Sequence, residues 1–197
     1  MSTDCNTTTM IPGELVKLGL KGITENILEC KMCQLHENIT NKVIMRGSER
    51  PKVLFIGEAP GKNEDEAGIP FCGRAGKVLD ELITYMALQK NEYAIINTVK
   101  CRPPNNRKPT QNELRTCRPF LLAQIEILDP EVIILLGNTA EQAFCVSPMD
   151  WGKAVITTEG KRLIKLYHPA ALLYRRSLME QQKEMIDRNK DLWQRIH

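Results

Sequence analysis

Residues 52–61, Lys-Val-Leu-Phe-Ile-Gly-Glu-Ala-Pro-Gly, decide the fold. The run from Val53 to Ile56 is continuously apolar, and a loop rich in glycine and proline follows it at once. A strand that is buried on both faces of a parallel sheet has this continuous apolar character. The stretch therefore predicts a central strand of an α/β sheet that ends in a functional loop.

Three further apolar runs extend this sheet. They lie at 93–96 before Asn97, at 132–136 before Gly137 and at 163–167 before His168. Helical patterns fill the intervals, at about 75–87, 110–128 and 139–144, with a helix or helical pair over 13–28 and a last helix over 178–196. This alternation predicts an α/β fold with a central four-stranded, mainly parallel sheet flanked by helices.

Length and composition are those of an ordinary globular protein. The chain has 197 residues, of which 42% are hydrophobic and 26% charged, which is enough for one compact domain with a substantial core. We expect a disordered lead-in over residues 1–11 and one folded domain over 12–197. No stretch approaches the roughly 18 apolar residues of a membrane span, and the first twenty residues lack a secretion signal. We therefore expect a cytosolic protein.

The predicted topology brings three distant polar residues to one edge of the sheet. Ligands of such sheets bind beyond the carboxyl ends of the strands, and the loops there carry Glu58, Asn97 and His168. Taken alone, Asn97 is equally well explained as a turn cap. A histidine after a strand is more often a structural hydrogen-bonding residue. Context beyond the single residues is needed to choose.

Basic residues are concentrated in two segments although the net charge is only +3. If folding brings these segments together, they form a phosphate-binding face; the alternative is two solvated surfaces. Their members are Lys100, Arg102, Arg107, Lys108, Arg115 and Arg118 in the first segment, and Lys161, Arg162, Lys165, Arg175 and Arg176 in the second.

Four of the seven cysteines form two pairs that suit a metal centre. Cys30 and Cys33 have C-x2-C spacing, and Cys101 and Cys117 lie in the most basic segment. Four thiolates suit either zinc or an iron–sulfur cluster, and spacing does not separate the two. Buried free thiols are the alternative. A shared centre would fasten the N-terminal helical piece to the long loop after the second of these strands.

Five motifs, read in order, closely resemble the family 4 uracil-DNA glycosylases from Cys30 to about Arg175. They are GEAPG at 57–61, Glu64-Asp65, GIPFCGRAG at 68–76, NTVKCRPP at 97–104 and HPAA at 168–171. The resemblance implies a 4Fe-4S cluster on Cys30, Cys33, Cys101 and Cys117. It also implies a hydrolase that flips uracil out of DNA, breaks its N-glycosidic bond and leaves an abasic site, in base excision repair of deaminated cytosine. No lysine lies in a motif that suggests Schiff-base lyase chemistry, so we expect a monofunctional enzyme.

The same resemblance implies roles for residues of the rim. Phe71 would stack on the uracil ring, with a core position as the alternative. Asn97 would donate to uracil O4 and accept from N3–H, and His168 would stabilise the negative charge that develops at O2. The remaining pocket residues are Gly57, Glu58 and Ala59.

Water activation has no firm assignment from the sequence. The aspartate of the best-known uracil glycosylases falls at Ala59, and Glu58 beside it either positions water or lines the pocket through its backbone. Glu64 and Asp65 are candidates for the wall that excludes the thymine methyl group, with solvated loop acids as the alternative.

For DNA, the resemblance implies a wedge that enters the duplex and arginines that hold phosphates. The wedge is expected at Leu172 or Leu173, unless these leucines begin a buried helix. The phosphate contacts are expected at Arg102, Arg107, Arg175 and Arg176. The expected partner is single- or double-stranded DNA that contains uracil. We expect the protein to be a monomer in the prokaryotic cytoplasm, active at the nucleoid. A sliding clamp is a further candidate partner that the sequence itself does not reveal.

Two other functions are weighed against this one. A noncatalytic nucleic-acid-binding module braced by a four-cysteine metal centre would bind DNA without releasing a base. A related glycosylase that stays covalently attached to abasic DNA carries a basic, histidine-containing insertion before the HPxA motif. The corresponding segment here, 159–164, is short and lacks the histidine.

Overall fold

The computed structural model describes residues 11–144, 148–175 and 177–194. Apart from Ile11, the expected lead-in over 1–11 lies outside these ranges.

The strands are β1 Arg46–Gly47, β2 Val53–Gly57, β3 Tyr93–Asn97, β4 Val132–Leu136, β5 Ala154–Ile156 and β6 Arg162–Leu166. They form a mixed sheet in the order β1-β3-β2-β4-β6-β5. The four central strands are parallel, which confirms the predicted sheet. Two antiparallel edge strands, β1 and β5, make it six-stranded. Neither edge strand was predicted, because two or three residues are too few to show a periodic pattern.

The helices are α1 Pro12–Lys17, α2 Gly19–Glu29, α3 Lys62–Ala67, α4 Arg74–Tyr85, α5 Gln111–Leu128, α6 Asn138–Phe144, α7 Pro169–Tyr174, α8 Ser177–Arg188 and α9 Asp191–Gln194. The predicted first helix is thus a pair, and the predicted last helix divides into α8 and α9. The short helices α3 and α7 lie where sequence analysis assigned loops. Each helix in the described part of the chain is too short or too polar to traverse a lipid bilayer.

The strands carry runs of consecutive apolar residues because helices cover both faces of the sheet. Phe55 and Ile95 pack with Leu79 of α4 on one face. Their neighbours Leu54 and Ile96 pack with helix α5 on the other. Strand register pairs Gly57 with Asn97, so the carboxyl ends of β2 and β3 are level and their loops leave the sheet side by side.

Candidate active site

A cleft opens beyond the carboxyl ends of the parallel strands. It encloses about 800 Å³ outside the protein atoms, part of it open solvent. Five residues expected at the rim from the sequence line this cleft together: Glu58, Ala59, Phe71, Asn97 and His168.

Gly57 allows two of these side chains to meet. A Cβ atom at Gly57 would lie 2.4 Å from Asn97 Oδ1 and 2.5 Å from the nearest atom of the Phe71 ring. Both distances are far below van der Waals contact, so a larger residue would force the carboxamide or the phenyl ring to move. Gly57 therefore shapes the cleft by having no side chain.

Phe71 forms part of the core and part of the cleft wall. Its side chain is 6% exposed, and its ring centroid is 5.7 Å from that of His168. The backbone at Phe71 is left-handed, with φ 53°, and the Arg46 guanidinium donates to its carbonyl over 3.0 Å. A Cβ at Gly76 would lie 1.8 Å from that carbonyl oxygen. These contacts hold the ring beside the imidazole.

Asn97 ends β3 with its carboxamide inside the cleft wall. The residue is 1% exposed, and among the described residues Oδ1 has no hydrogen-bond partner. Leaving a buried acceptor unpaired costs about 1–3 kcal/mol. Oδ1 therefore caps no turn in this structure, and it is free to accept from a ligand that carries an N–H group.

His168 is held in a defined orientation at the start of α7. Its Nδ1 accepts from the Ala170 N–H over 3.2 Å, which in the neutral imidazole leaves the proton on Nε2. Burial lowers the pKa of His168 from its usual value, and the nearby Glu58 and Glu64 carboxylates oppose this without reversing it. The ring is therefore neutral at pH 7 and donates from Nε2.

Glu58 is fixed through both its backbone and its side chain. The Thr98 hydroxyl donates to the Glu58 carbonyl, and the Thr139 hydroxyl donates to its carboxylate. Sequence reasoning missed Thr139. Its position shortly after β4 could have indicated it, because the segment that follows a parallel strand begins at this rim.

Glu64 links the loop after β2 to the segment that carries Phe71. One carboxylate oxygen accepts from Gly61 N–H over 3.1 Å and the other from Gly73 N–H over 2.8 Å. Glu64 also lines the cleft. Asp65, the second acid expected at this wall, is buried elsewhere and accepts from the Thr40 amide over 2.9 Å. That expectation was wrong for Asp65, because its side chain is used to anchor a neighbouring loop.

Three residues of the two basic segments have partners inside the protein. Lys100 and Lys165 are 2% and 5% exposed; burial lowers the pKa of Lys100 to about 8, and Lys165 pairs with buried Glu141 at 2.9 Å. The Arg118 guanidinium donates to a backbone carbonyl over 2.9 Å. Because these side chains satisfy internal partners, neither a phosphate-binding face nor a solvated surface describes them.

The expected DNA-binding arginines have different surroundings. Arg107 lines the cleft and makes two hydrogen bonds to Glu113, of 2.7 and 2.8 Å. Arg102 donates to the Asn106 carboxamide over 2.7 Å. Arg175 is exposed at the end of α7, and Arg176 lies outside the described residues.

The expected wedge residues belong to α7. Leu172 is 3% exposed within the core, and Leu173 is half-buried against it. The alternative of a buried helix therefore describes Leu172 better than insertion into DNA does. Tyr174, which sequence analysis did not consider, is 81% exposed. It lies one helical turn after the cleft residue Ala170, and that spacing was the signal for it.

The four paired cysteines line one separate cavity between α2 and α5. Burial and neighbouring thiolates raise the pKa of Cys101 to about 12, and burial raises that of Cys117 to about 11. A bound cation would offset the cost of such thiolates. Within the described ranges, no group of three or more histidine, cysteine or acidic side chains has the arrangement of a single-ion site.

Comparisons with known proteins agree with this geometry. The sequence pattern of the Uracil DNA glycosylase superfamily matches residues 44–193. A protein of Thermotoga maritima named type-4 uracil-DNA glycosylase is 42% identical over 166 residues, or 79% of this chain and 83% of the relative. One of the same name from Archaeoglobus fulgidus is 39% identical over 180 residues, 82% and 87% of the two chains. A type-5 uracil-DNA glycosylase of Mycobacterium leprae is 32% identical over 150 residues, 63% and 65%.

Proposed function

This chain belongs to the uracil DNA glycosylase superfamily, among the type-4 enzymes, and we propose that its cleft holds a uracil that is flipped out of DNA, with Phe71 and His168 in contact with the base. The chain is a uracil-DNA glycosylase, a hydrolase of DNA repair. The observation that carries the proposal is the buried, unpartnered Oδ1 of Asn97 beside these two rings.

Flipping is required because the bond to be broken is inaccessible while the base is stacked. Extruding the nucleotide costs a few kcal/mol, so the cleft must bind the base firmly. Phe71 supplies an aromatic face that is held in place by its left-handed backbone and the Arg46 contact. Because the ring need not reorient, stacking costs little conformational entropy.

Asn97 recognises uracil through two opposed hydrogen bonds. Its Oδ1 accepts from uracil N3–H, and its Nδ2 donates to uracil O4. Cytosine presents the opposite pattern, with an acceptor at N3 and a donor at N4. The carboxamide would have to rotate to bind it.

His168 stabilises the leaving group. As the N-glycosidic bond breaks, the bonding electron pair leaves with uracil and negative charge develops at O2. The Nε2–H of a neutral, oriented imidazole donates to that oxygen more strongly in the transition state than in the ground state. The Ala170 amide keeps the proton on Nε2, so the donor is ready before the bond breaks.

Glu58 orients the water that completes the hydrolysis. Thr139 and Thr98 hold its carboxylate and carbonyl, so Glu58 can present an acceptor in the cleft near the sugar. The sugar cation is strongly electrophilic, so orienting the water is sufficient and a strong base is unnecessary. The water oxygen bonds to the anomeric carbon, and its proton passes to the carboxylate or to solvent.

A 4Fe-4S cluster on Cys30, Cys33, Cys101 and Cys117 is the second part of the proposal. All four cysteines line one cavity, and the ionisation of one thiol makes the ionisation of its neighbours more costly. A cationic iron–sulfur group would offset this cost, so the four cysteines fit such a group. When bound, the cluster would supply iron–thiolate bonds that offset part of the thiolate charge. The cysteines then connect the end of α2 to the loop after β3 and to α5.

DNA contacts and cellular context complete the proposal. Residues 12–197 form the glycosylase domain, which acts as a cytoplasmic monomer on single- or double-stranded DNA at the nucleoid, with a sliding clamp as a candidate partner. The arginines at 102, 107, 175 and 176 hold phosphates. Leu173 and the exposed Tyr174 are better placed than buried Leu172 to reach the DNA stack. The noncatalytic alternative is not favoured, because the relatives are named as enzymes.

An oligonucleotide assay tests the proposal. Purified protein is incubated with a strand containing one uracil and with a matched thymine strand, and abasic sites are then cleaved with alkali. We expect scission of the uracil strand alone and its loss in His168→Ala. DNA binding without scission in the wild-type protein would instead support the noncatalytic module.

A further inference from the structure

Lys100 is a buried basic residue to which the mechanism above assigns no role. Its side chain lines the four-cysteine cavity and is 2% exposed. Its Nζ donates to the backbone carbonyl of Asn97 over 2.6 Å. Cys101 and Cys117 are the titratable side chains that act on the ammonium. One side chain thus touches both the proposed cluster site and the residue that reads the base.

The Asn97–Thr98 peptide group is a junction in the cleft wall. Its carbonyl accepts from Lys100, and its N–H donates to the Gly57 carbonyl over 3.0 Å. The Thr98 hydroxyl donates to the carbonyl of Glu58. A displacement of this peptide would therefore be passed to Asn97, Gly57 and Glu58 at once.

A buried ammonium is stable only where charge or good acceptors compensate it. One carbonyl satisfies a single one of its three donors. The four thiols supply the remaining compensation when they are ligated, because ligated thiols are deprotonated.

We propose that Lys100 is a positioning residue that joins the four-cysteine cavity to the base-binding cleft. This inference rests on the proposed function, since it takes the four cysteines as ligands of the cluster. The ligated thiolates hold the ammonium in place, and the ammonium holds the Asn97 carbonyl. The carboxamide of Asn97 is thereby fixed for uracil. Loss of the cluster then weakens base recognition through this contact.

Two variants of the intact protein test the inference. Lys100→Met removes the charge and the donor at nearly constant volume. Lys42→Met is the matched control, because Lys42 lines the same cavity but donates to the Leu28 carbonyl, over 2.6 Å, instead of to Asn97. For each protein, iron and acid-labile sulfide are counted before and after incubation with a chelator, and kcat/KM is measured on the uracil strand.

We expect Lys100→Met to lose iron faster than the wild-type protein and to lose at least about tenfold in kcat/KM, the effect of removing a hydrogen bond to a charged group. Lys42→Met should keep kcat/KM within about twofold. Lys100→Arg, which restores a buried cation, should recover part of both properties. Wild-type values for Lys100→Met in either property, or an equal loss of kcat/KM in Lys42→Met, would overturn the inference.

A measurement on the wild-type protein covers the case in which Lys100→Met does not fold. After iron is removed by chelation, hydrogen exchange at the Thr98 amide should accelerate, while exchange in β4 stays unchanged. Equal exchange at Thr98 with and without iron would overturn the inference. The wild-type protein failing to release uracil would instead refute the proposed function, and the exchange result would still stand.

Discussion

Substitution of Gly57 by alanine tests the geometry of the cleft with a single methyl group. The new Cβ would lie 2.4 Å from Asn97 Oδ1 and 2.5–2.6 Å from two carbons of the Phe71 ring. Neither neighbour can withdraw easily, because Asn97 belongs to β3 and the Phe71 backbone abuts Gly76. Overpacking of this kind costs about 1–3 kcal/mol of folding free energy.

The effect on activity should exceed the effect on stability. Relieving the overlap requires the carboxamide or the ring to move by about 1 Å, and a misplacement of that size costs on the order of 100-fold in rate. We therefore expect Gly57→Ala to unfold cooperatively in urea, with a modestly lower midpoint, and to lose about 100-fold in kcat/KM on the uracil strand.

Gly13→Ala is the control for the alanine substitution itself. A Cβ at Gly13 meets no atom within 4 Å, and alanine in a helix is favoured over glycine by about 1 kcal/mol. This variant should keep full activity and gain stability. Wild-type kcat/KM in Gly57→Ala would refute the assignment of Asn97 and Phe71 as the surfaces that hold the base.

Three further predictions concern the groups around His168. Because burial lowers the pKa of His168, kcat should stay constant down to about pH 6.5, the ordinary histidine pKa, and fall only below it. The free energy of unfolding should also decrease below about pH 6.5, since His168 binds a proton more readily in the unfolded chain than in the folded protein. Thr139→Ala should lower kcat about threefold to tenfold in single-turnover assays by freeing Glu58, and Thr139→Ser should restore it. Glu64→Gln should move the acid limb of the pH profile to still lower pH, because the Glu64 carboxylate raises the pKa of His168 in the wild-type protein and its removal lowers that pKa. An unmoved limb would show that Glu64 acts on folding alone.

The central sheet could be predicted because burial on both faces leaves a direct mark on the sequence. Three of the four parallel strands contain a continuous apolar run, and Lys165 interrupts the run of β6. The residues that follow these runs must lie at the rim. Asn97 and His168 could therefore be placed together before any coordinates. The edge strands β1 and β5 escape this reasoning, since they are two and three residues long and partly exposed.

Tertiary partners explain most of what the sequence could not predict. Lys100 and Lys165 belong to basic segments typical of solvated surfaces. Folding instead buries Lys165 against Glu141 of α6 and Lys100 in the four-cysteine cavity, where it donates to the Asn97 carbonyl. Thr139 and Glu64 act through hydrogen bonds whose partners are fixed only by folding. Leu172 faces the core because of the orientation of α7 about its own axis, and the HPAA motif at 168–171 does not determine this orientation.

The protonation state of His168 in complex with the product tests the central claim most directly. Protein labelled with ¹⁵N in the imidazole rings is mixed with abasic DNA and uracil at pH 7, and His168→Gln identifies the signals among the three histidines. We predict a neutral His168 ring with its proton on Nε2, shifted by addition of uracil and unshifted by addition of thymine. A proton on Nδ1, or signals that uracil leaves unchanged, would contradict this account of the reaction.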